Sequence, residues 1–87
     1  MLTYEELKKA LDESELWNIA TIERGGGFSL NSEKLSYFHK DYTITICNYR
    51  DGIELSKGER YLYYFLYEDI RIEAGNLILK NSIEISL

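Results

Sequence analysis

The chain has no proline, one cysteine and one histidine in 87 residues, and each scarcity removes a class of answer. A lone Cys47 closes no internal disulfide, whereas small secreted domains generally depend on several, so the expected compartment is a reducing one, read here as cytoplasmic. His39 and Cys47 supply the only imidazole and thiol ligands present. Structural zinc takes four, so neither a metal site nor any other cofactor is expected. Nucleophilic catalysis needs Cys47 or a serine beside a base, and no carboxylate stands at a diagnostic spacing from His39. No catalytic residue is assigned, and the chain is not expected to be an enzyme.

Long apolar runs are also missing. No window approaches the roughly 18 apolar residues of a membrane span. The Met1-Leu2-Thr3-Tyr4-Glu5-Glu6 start has no basic region ahead of an apolar one, so neither signal nor anchor is expected. Lys and Arg are scattered and outnumbered, 10 against 15 Asp and Glu. With no basic stripe to neutralise phosphates, direct nucleic-acid binding is not expected. Gly25-Gly26-Gly27 lacks the helix start and Lys of a phosphate cradle, and reads as a hairpin turn leading into a strand at Phe28-Ser29-Leu30.

What the chain does have is apolar and aromatic residues in abundance, 45% hydrophobic and 14% aromatic, enough for one folded domain over residues 1–87. Thr3 and Glu6 form a capping box, with Leu2 placed to staple onto Leu7, so a helix is predicted from Tyr4 to Ser14. Tyr4, Leu7, Ala10 and Leu11 fall on its apolar side; Glu5, Glu6, Lys8, Lys9, Asp12 and Glu13 fall on the other. Its last turn carries Asp12 and Glu13, with Glu15 just beyond, the wrong sign for the helix dipole. Local stability therefore does not account for that cluster.

Beyond the helix the period changes to two. Trp17, Ile19 and Ile22 alternate with polar residues before the glycines. Leu35 to His39 reads as a strand or one turn of helix, with strand preferred, and Tyr42 to Tyr49 alternates clearly. Asp51-Gly52 and Gly75-Asn76 read as tight hairpins. The longest apolar stretch, Arg60 to Glu73, is predicted to be one continuous central strand. It sets Leu62, Tyr64, Leu66, Ile70 and Ile72 on a core face and Tyr61, Tyr63, Phe65 and Tyr67 on the other. Leu77-Ile78-Leu79 and Ile83 to Leu87 follow as returning strands. The predicted architecture is α+β: an N-terminal amphipathic helix packed on an antiparallel meander sheet of about five or six strands. The predicted core is Leu7, Leu11, Trp17, Ile19, Ile44, Ile46, Leu62, Tyr64, Leu66, Ile70, Ile72 and Leu79.

The charge map carries the functional argument. Met1 to Leu16 holds five acids against two bases and Glu59 to Glu73 four against two, while the rest is balanced, so the net charge of −5 lies in these two segments. Glu5, Glu6, Asp12, Glu13 and Glu15, with Glu68, Asp69 and Glu73 and bordered by Tyr61, Tyr63 and Tyr67, make a candidate surface for a basic protein partner. Tyr is enriched at interfaces and exposed acids steer encounters with positive partners. In size, acidity and lack of a catalytic set the chain resembles the small inhibitors that phages and mobile elements carry against restriction or CRISPR nucleases. That resemblance is one of type and implies occupation of a phosphate site by nucleic-acid mimicry. The alternatives are an immunity protein or antitoxin, or a structural or regulatory subunit whose aromatic face pairs with a copy of itself.

Overall fold

The computed structural model describes residues 1–25, 29–59 and 61–87, without the Tyr61 side chain. The expected strand at Phe28 and the turn at Gly26-Gly27 fall outside the described residues, as does Arg60 at the predicted start of the central strand.

The helix α1 (Tyr4–Glu13) begins as its sequence dictates. Thr3 Oγ1 accepts from the Glu6 amide at 3.2 Å and the Thr3 amide donates to Glu6 Oε1 at 3.1 Å, satisfying two of the donors that a helix start leaves open. It ends one residue earlier than expected, because Ser14 is extended and its hydroxyl accepts from the amides of Leu16 and Trp17. Leu7 and Leu11 are fully buried.

Among the described residues eight strands follow, in two antiparallel sheets. The first is a meander of β1 (Asn18–Arg24), β2 (Glu33–His39), β3 (Tyr42–Cys47), β4 (Gly52–Lys57) and β5 (Tyr61–Leu66), adjacent in chain order. The second joins β6 (Ile70–Glu73), β7 (Asn76–Leu79) and β8 (Ile83–Ser86). The α+β class and the helix on an antiparallel meander are as the sequence implies. Leu35 to His39 is indeed strand. Its inward residues Leu35 and Tyr37 join Ile44, Ile46, Ile53, Leu55 and Phe65 on the face that α1 and the second sheet cover, forming one core with Ile70, Leu77, Leu79 and Ile85.

The single central strand is the main correction. A 14-residue strand at about 3.3 Å per residue would run roughly 46 Å, against a longest Cα extent of 34 Å. Instead the chain leaves the first sheet after Leu66 and makes a 3-10 turn at Tyr67–Asp69. The Tyr67 amide donates to the Asp51 carbonyl at 3.0 Å there. The faces are corrected with it. Pairing of Tyr63 with Leu55 and Phe65 with Ile53 turns Phe65 inward, and the turn then buries Tyr67. Leu62 and Tyr64, expected in the core, are 68% and 46% exposed on the outer face; Leu66 is half-buried. Ile19 and Ile72, also expected inside, lie exposed on edge strands.

Smaller departures have equally local causes. A bulge at Ala20 shifts the β1–β2 register, so Ile19 and Ile22 both share the face of Tyr37 and Leu35. Ser29 and Leu30 are turn rather than strand, held where the Ser32 amide and hydroxyl donate to the Ser29 carbonyl. The last hairpin but one turns at Ala74-Gly75, φ 50° and 78°, one residue before the expected pair, since Glu73 is already paired with Asn76. Gly52 supplies no positive φ. It opens β4 beneath the Phe65 backbone, where a Cβ would stand 2.2 Å from the carbonyl oxygen.

These placements set two expectations for urea denaturation. Phe65→Ala should cost about 3 to 5 kcal/mol, whereas Leu62→Ala should stay below about 0.5 kcal/mol; comparable losses would reverse the register of β5. Gly52→Ala should cost about 2 kcal/mol or more, because backbone rather than a flexible side chain must move.

Candidate interaction surface

One of the two carboxylates that orient α1 is singled out by no pattern in the sequence. Glu33, at the start of β2, accepts from the Tyr4 hydroxyl at 2.6 Å and Lys8 Nζ at 2.9 Å on Oε1, and from Arg24 Nε at 3.0 Å on Oε2. The Tyr4 hydroxyl, then Lys8 and Arg24, hold its carboxyl down at about 2. Burial, with the hydrogen bond to Glu33 second, pushes the Tyr4 phenol well above the usual tyrosine range. Near the other end of the helix the Tyr37 hydroxyl donates to Asp12 Oδ1 at 2.6 Å, and burial followed by that bond raises Tyr37 as well.

This clamp decides which charges face outward. Lys8 is turned onto the sheet, so Glu5, Glu6, Asp12, Glu13 and Glu15 remain exposed with Lys9 as the one base on their side of the helix, 3.9 Å from Glu13. At that distance and exposure the pair contributes little. Two of the five acids have structural work besides: Glu6 closes the capping box and Asp12 holds Tyr37. Among the described residues, Glu5, Glu13 and Glu15 have no such bond.

The second acidic group divides. Glu68 stands with Met1, Leu2 and Thr3 around a recess of about 390 Å³ that Arg50, Asp51 and Tyr67 also line, so it meets the start of the helix with a base beside it. Asp12, Glu13 and Glu15 lie at the far end, about 15 Å along a ten-residue helix. Asp69 is half-buried and its carbonyl accepts from the Lys80 amide. Glu73 is paired with Arg71 at 2.6 Å, and Arg71 also lines a cleft of about 610 Å³ against Glu6, Lys9 and Glu13. Charges of both signs therefore separate Glu73 from the helix acids.

The aromatic border is narrower than expected. Tyr67 is 7% exposed. Its hydroxyl has no hydrogen-bond partner among the described residues, and burial pushes it up to about 12. It belongs to the core rather than to a surface. Tyr63 is partly exposed at the sheet edge, and the Tyr61 side chain lies outside the described residues.

His39 and Cys47 sit at opposite ends of the β2–β3 hairpin, His39 tilted against Trp17 at 5.6 Å and Cys47 buried. Among the described residues no group of three or more His, Cys, Asp or Glu is placed to hold a metal ion, and no helix is long and apolar enough to cross a membrane. No protein-family model, curated protein or solved structure matches the chain.

The Glu33 clamp gives a pH dependence with a defined sign. Its carboxyl falls from the ordinary 4.5 to about 2 on folding, so the stabilisation is fully present above about pH 5 and is lost as pH falls through 2. Glu33→Gln should lower the unfolding free energy by up to about 3 kcal/mol at pH 7 and by much less at pH 2. Urea titrations at the two pH values measure the difference; an equal loss at both would assign the effect to packing.

Proposed function

We propose that the protein is a non-enzymatic protein-binding module that engages a basic partner through the outward face of α1. The observation that carries this reading is the withdrawal of Lys8 onto Glu33, which leaves Lys9 as the one base that α1 itself sets among five exposed carboxylates. A spacing of carboxylates along a rigid helix, anchored at both ends by Tyr4 and Tyr37, suits Lys and Arg side chains that otherwise meet phosphates. The partner class is a basic nucleic-acid-handling protein, and the mode is occupation of its phosphate site. An inhibitor of the kind carried by phages and mobile elements is the biological setting this reading favours. Glu68 extends the surface around the start of the helix; Glu73, neutralised by Arg71, and Tyr67, in the core, do not take part.

Glu13 and Glu15 offer a clean test. They lie in the last turn of α1 and just beyond it, where a positive charge suits the helix dipole, so Glu13→Lys with Glu15→Lys should leave the fold as stable as before. Partners captured by the wild-type chain from its source cell or that cell's host, and identified by mass spectrometry, should be basic and should be lost with the double variant. Association with the purified partner should slow by about tenfold or more at low salt, and the difference should shrink as the Debye length falls to about 3 Å near 1 M salt. Association unchanged by the reversal at low salt would remove the electrostatic mechanism.

A further inference from the structure

The two outer strands of the first sheet are protected very differently. An edge strand presents unpaired N–H and C=O groups, and folded chains blunt such edges with charge, proline or a bulge. β1 carries Glu23, Arg24 and the bulge at Ala20. β5, reading Tyr-Leu-Tyr-Tyr-Phe-Leu, has none of the three, and it is paired only with β4 among the described residues. Its outer face also leaves Leu62 68% and Tyr64 46% exposed. The Tyr64 hydroxyl is already bonded to Asp51 Oδ1 at 2.6 Å, so its ring is what remains for a partner.

We infer that β5 pairs antiparallel with β5 of a second copy, joining two five-stranded sheets into one of ten strands. Self-complementarity selects this occupant. A twofold axis perpendicular to the sheet keeps each face on its own side, so residues brought opposite one another share a face. Centred on Tyr63, the pairing sets Leu62 opposite the partner's Tyr64, and by symmetry Tyr64 opposite the partner's Leu62. The two apolar side chains left in water by each copy thus cover those of the other. Charge points the same way. In an acidic chain of net charge −5, a copy can face itself closely only along a segment without charge, and Tyr61–Leu66 is such a segment. A basic partner of the kind proposed above has no carboxylate to meet on this strand.

Sedimentation of the purified chain tests this without reference to any other partner, so it stands or falls apart from the α1 reading. Between about 1 and 100 µM the wild type should pass from monomer to dimer. Leu62→Asp, at an exposed position, should raise the dissociation constant by about 100-fold with unchanged circular dichroism, whereas Leu30→Asp, exposed and off the strand, should change nothing. In the wild type, those β5 amides not bonded to β4 should exchange more slowly as concentration rises, a measurement that needs no variant to fold. A wild type monomeric at 100 µM, or a dimer equally tight with Leu62→Asp, overturns the pairing; so does β5 exchange that is independent of concentration across the same range.

Discussion

The structure depends on covering one face of a five-stranded sheet. Four interstrand steps of about 4.8 Å make that face roughly 19 Å across, and Leu35, Tyr37, Ile44, Ile46, Ile53, Leu55 and Phe65 must all be kept from water on it. A ten-residue helix about 15 Å long, contributing Leu7 and Leu11, covers only part. The rest is supplied by the second sheet through Ile70, Leu77, Leu79 and Ile85. Hence the chain leaves the first sheet at Tyr67. Continuing β5 in line would have extended an edge strand past the end of the molecule, whereas folding it over closes the core and buries Tyr67 with it.

Covering also explains why a strongly polar contact sits beneath the helix. With two apolar anchors, α1 has freedom to rotate about the line through Leu7 and Leu11. Glu33 and Asp12 remove it by taking the Tyr4 and Tyr37 hydroxyls, one near each end. Both bonds join a carboxylate to a hydroxyl in a partly buried setting, which makes them stronger than a neutral pair. The same contacts that orient the helix turn Lys8 inward, so the negative character of its outward face follows from packing rather than from composition alone.

The parts legible in the sequence are those set by neighbours in the chain. Thr3 and Glu6 cap each other across three residues, and β3 shows its faces by strict alternation. The faces of β5 were hidden because Tyr, Leu and Phe occupy both of them, so the period of two carried no parity. Only its pairing with Leu55 and Ile53 decides that Phe65 points in and Leu62 out. Gly52 read as a turn residue, yet its role lies in the Phe65 carbonyl thirteen positions away. Glu33 carried no local signal, because Tyr4, its partner, is 29 residues distant. For the candidate surface, helical spacing puts Glu5 and Glu13 on the side away from Leu7 and Leu11, and Glu15 lies just beyond the helix, but no spacing rule separates an acid that faces water from Asp12, which holds Tyr37.

The two proposed surfaces are compatible, and their geometry links them. The helix lies over the inner face of the first sheet, while β5 offers its edge and outer face. A twofold axis perpendicular to the joined sheet preserves faces, so both copies of α1 stand on the same side of a ten-stranded sheet with their acidic surfaces turned the same way. A dimer so built presents two acidic helices to one partner surface. A basic partner with an extended or repeated phosphate-binding track then gains a second contact at high effective concentration, strengthening the complex by a factor of 10² or more, as an order of magnitude, without any new residue contact. A partner with a single compact site gains nothing from the second helix. Dimerisation would in this way act as a filter on partner shape, built from an uncharged edge strand that does not itself touch the basic partner.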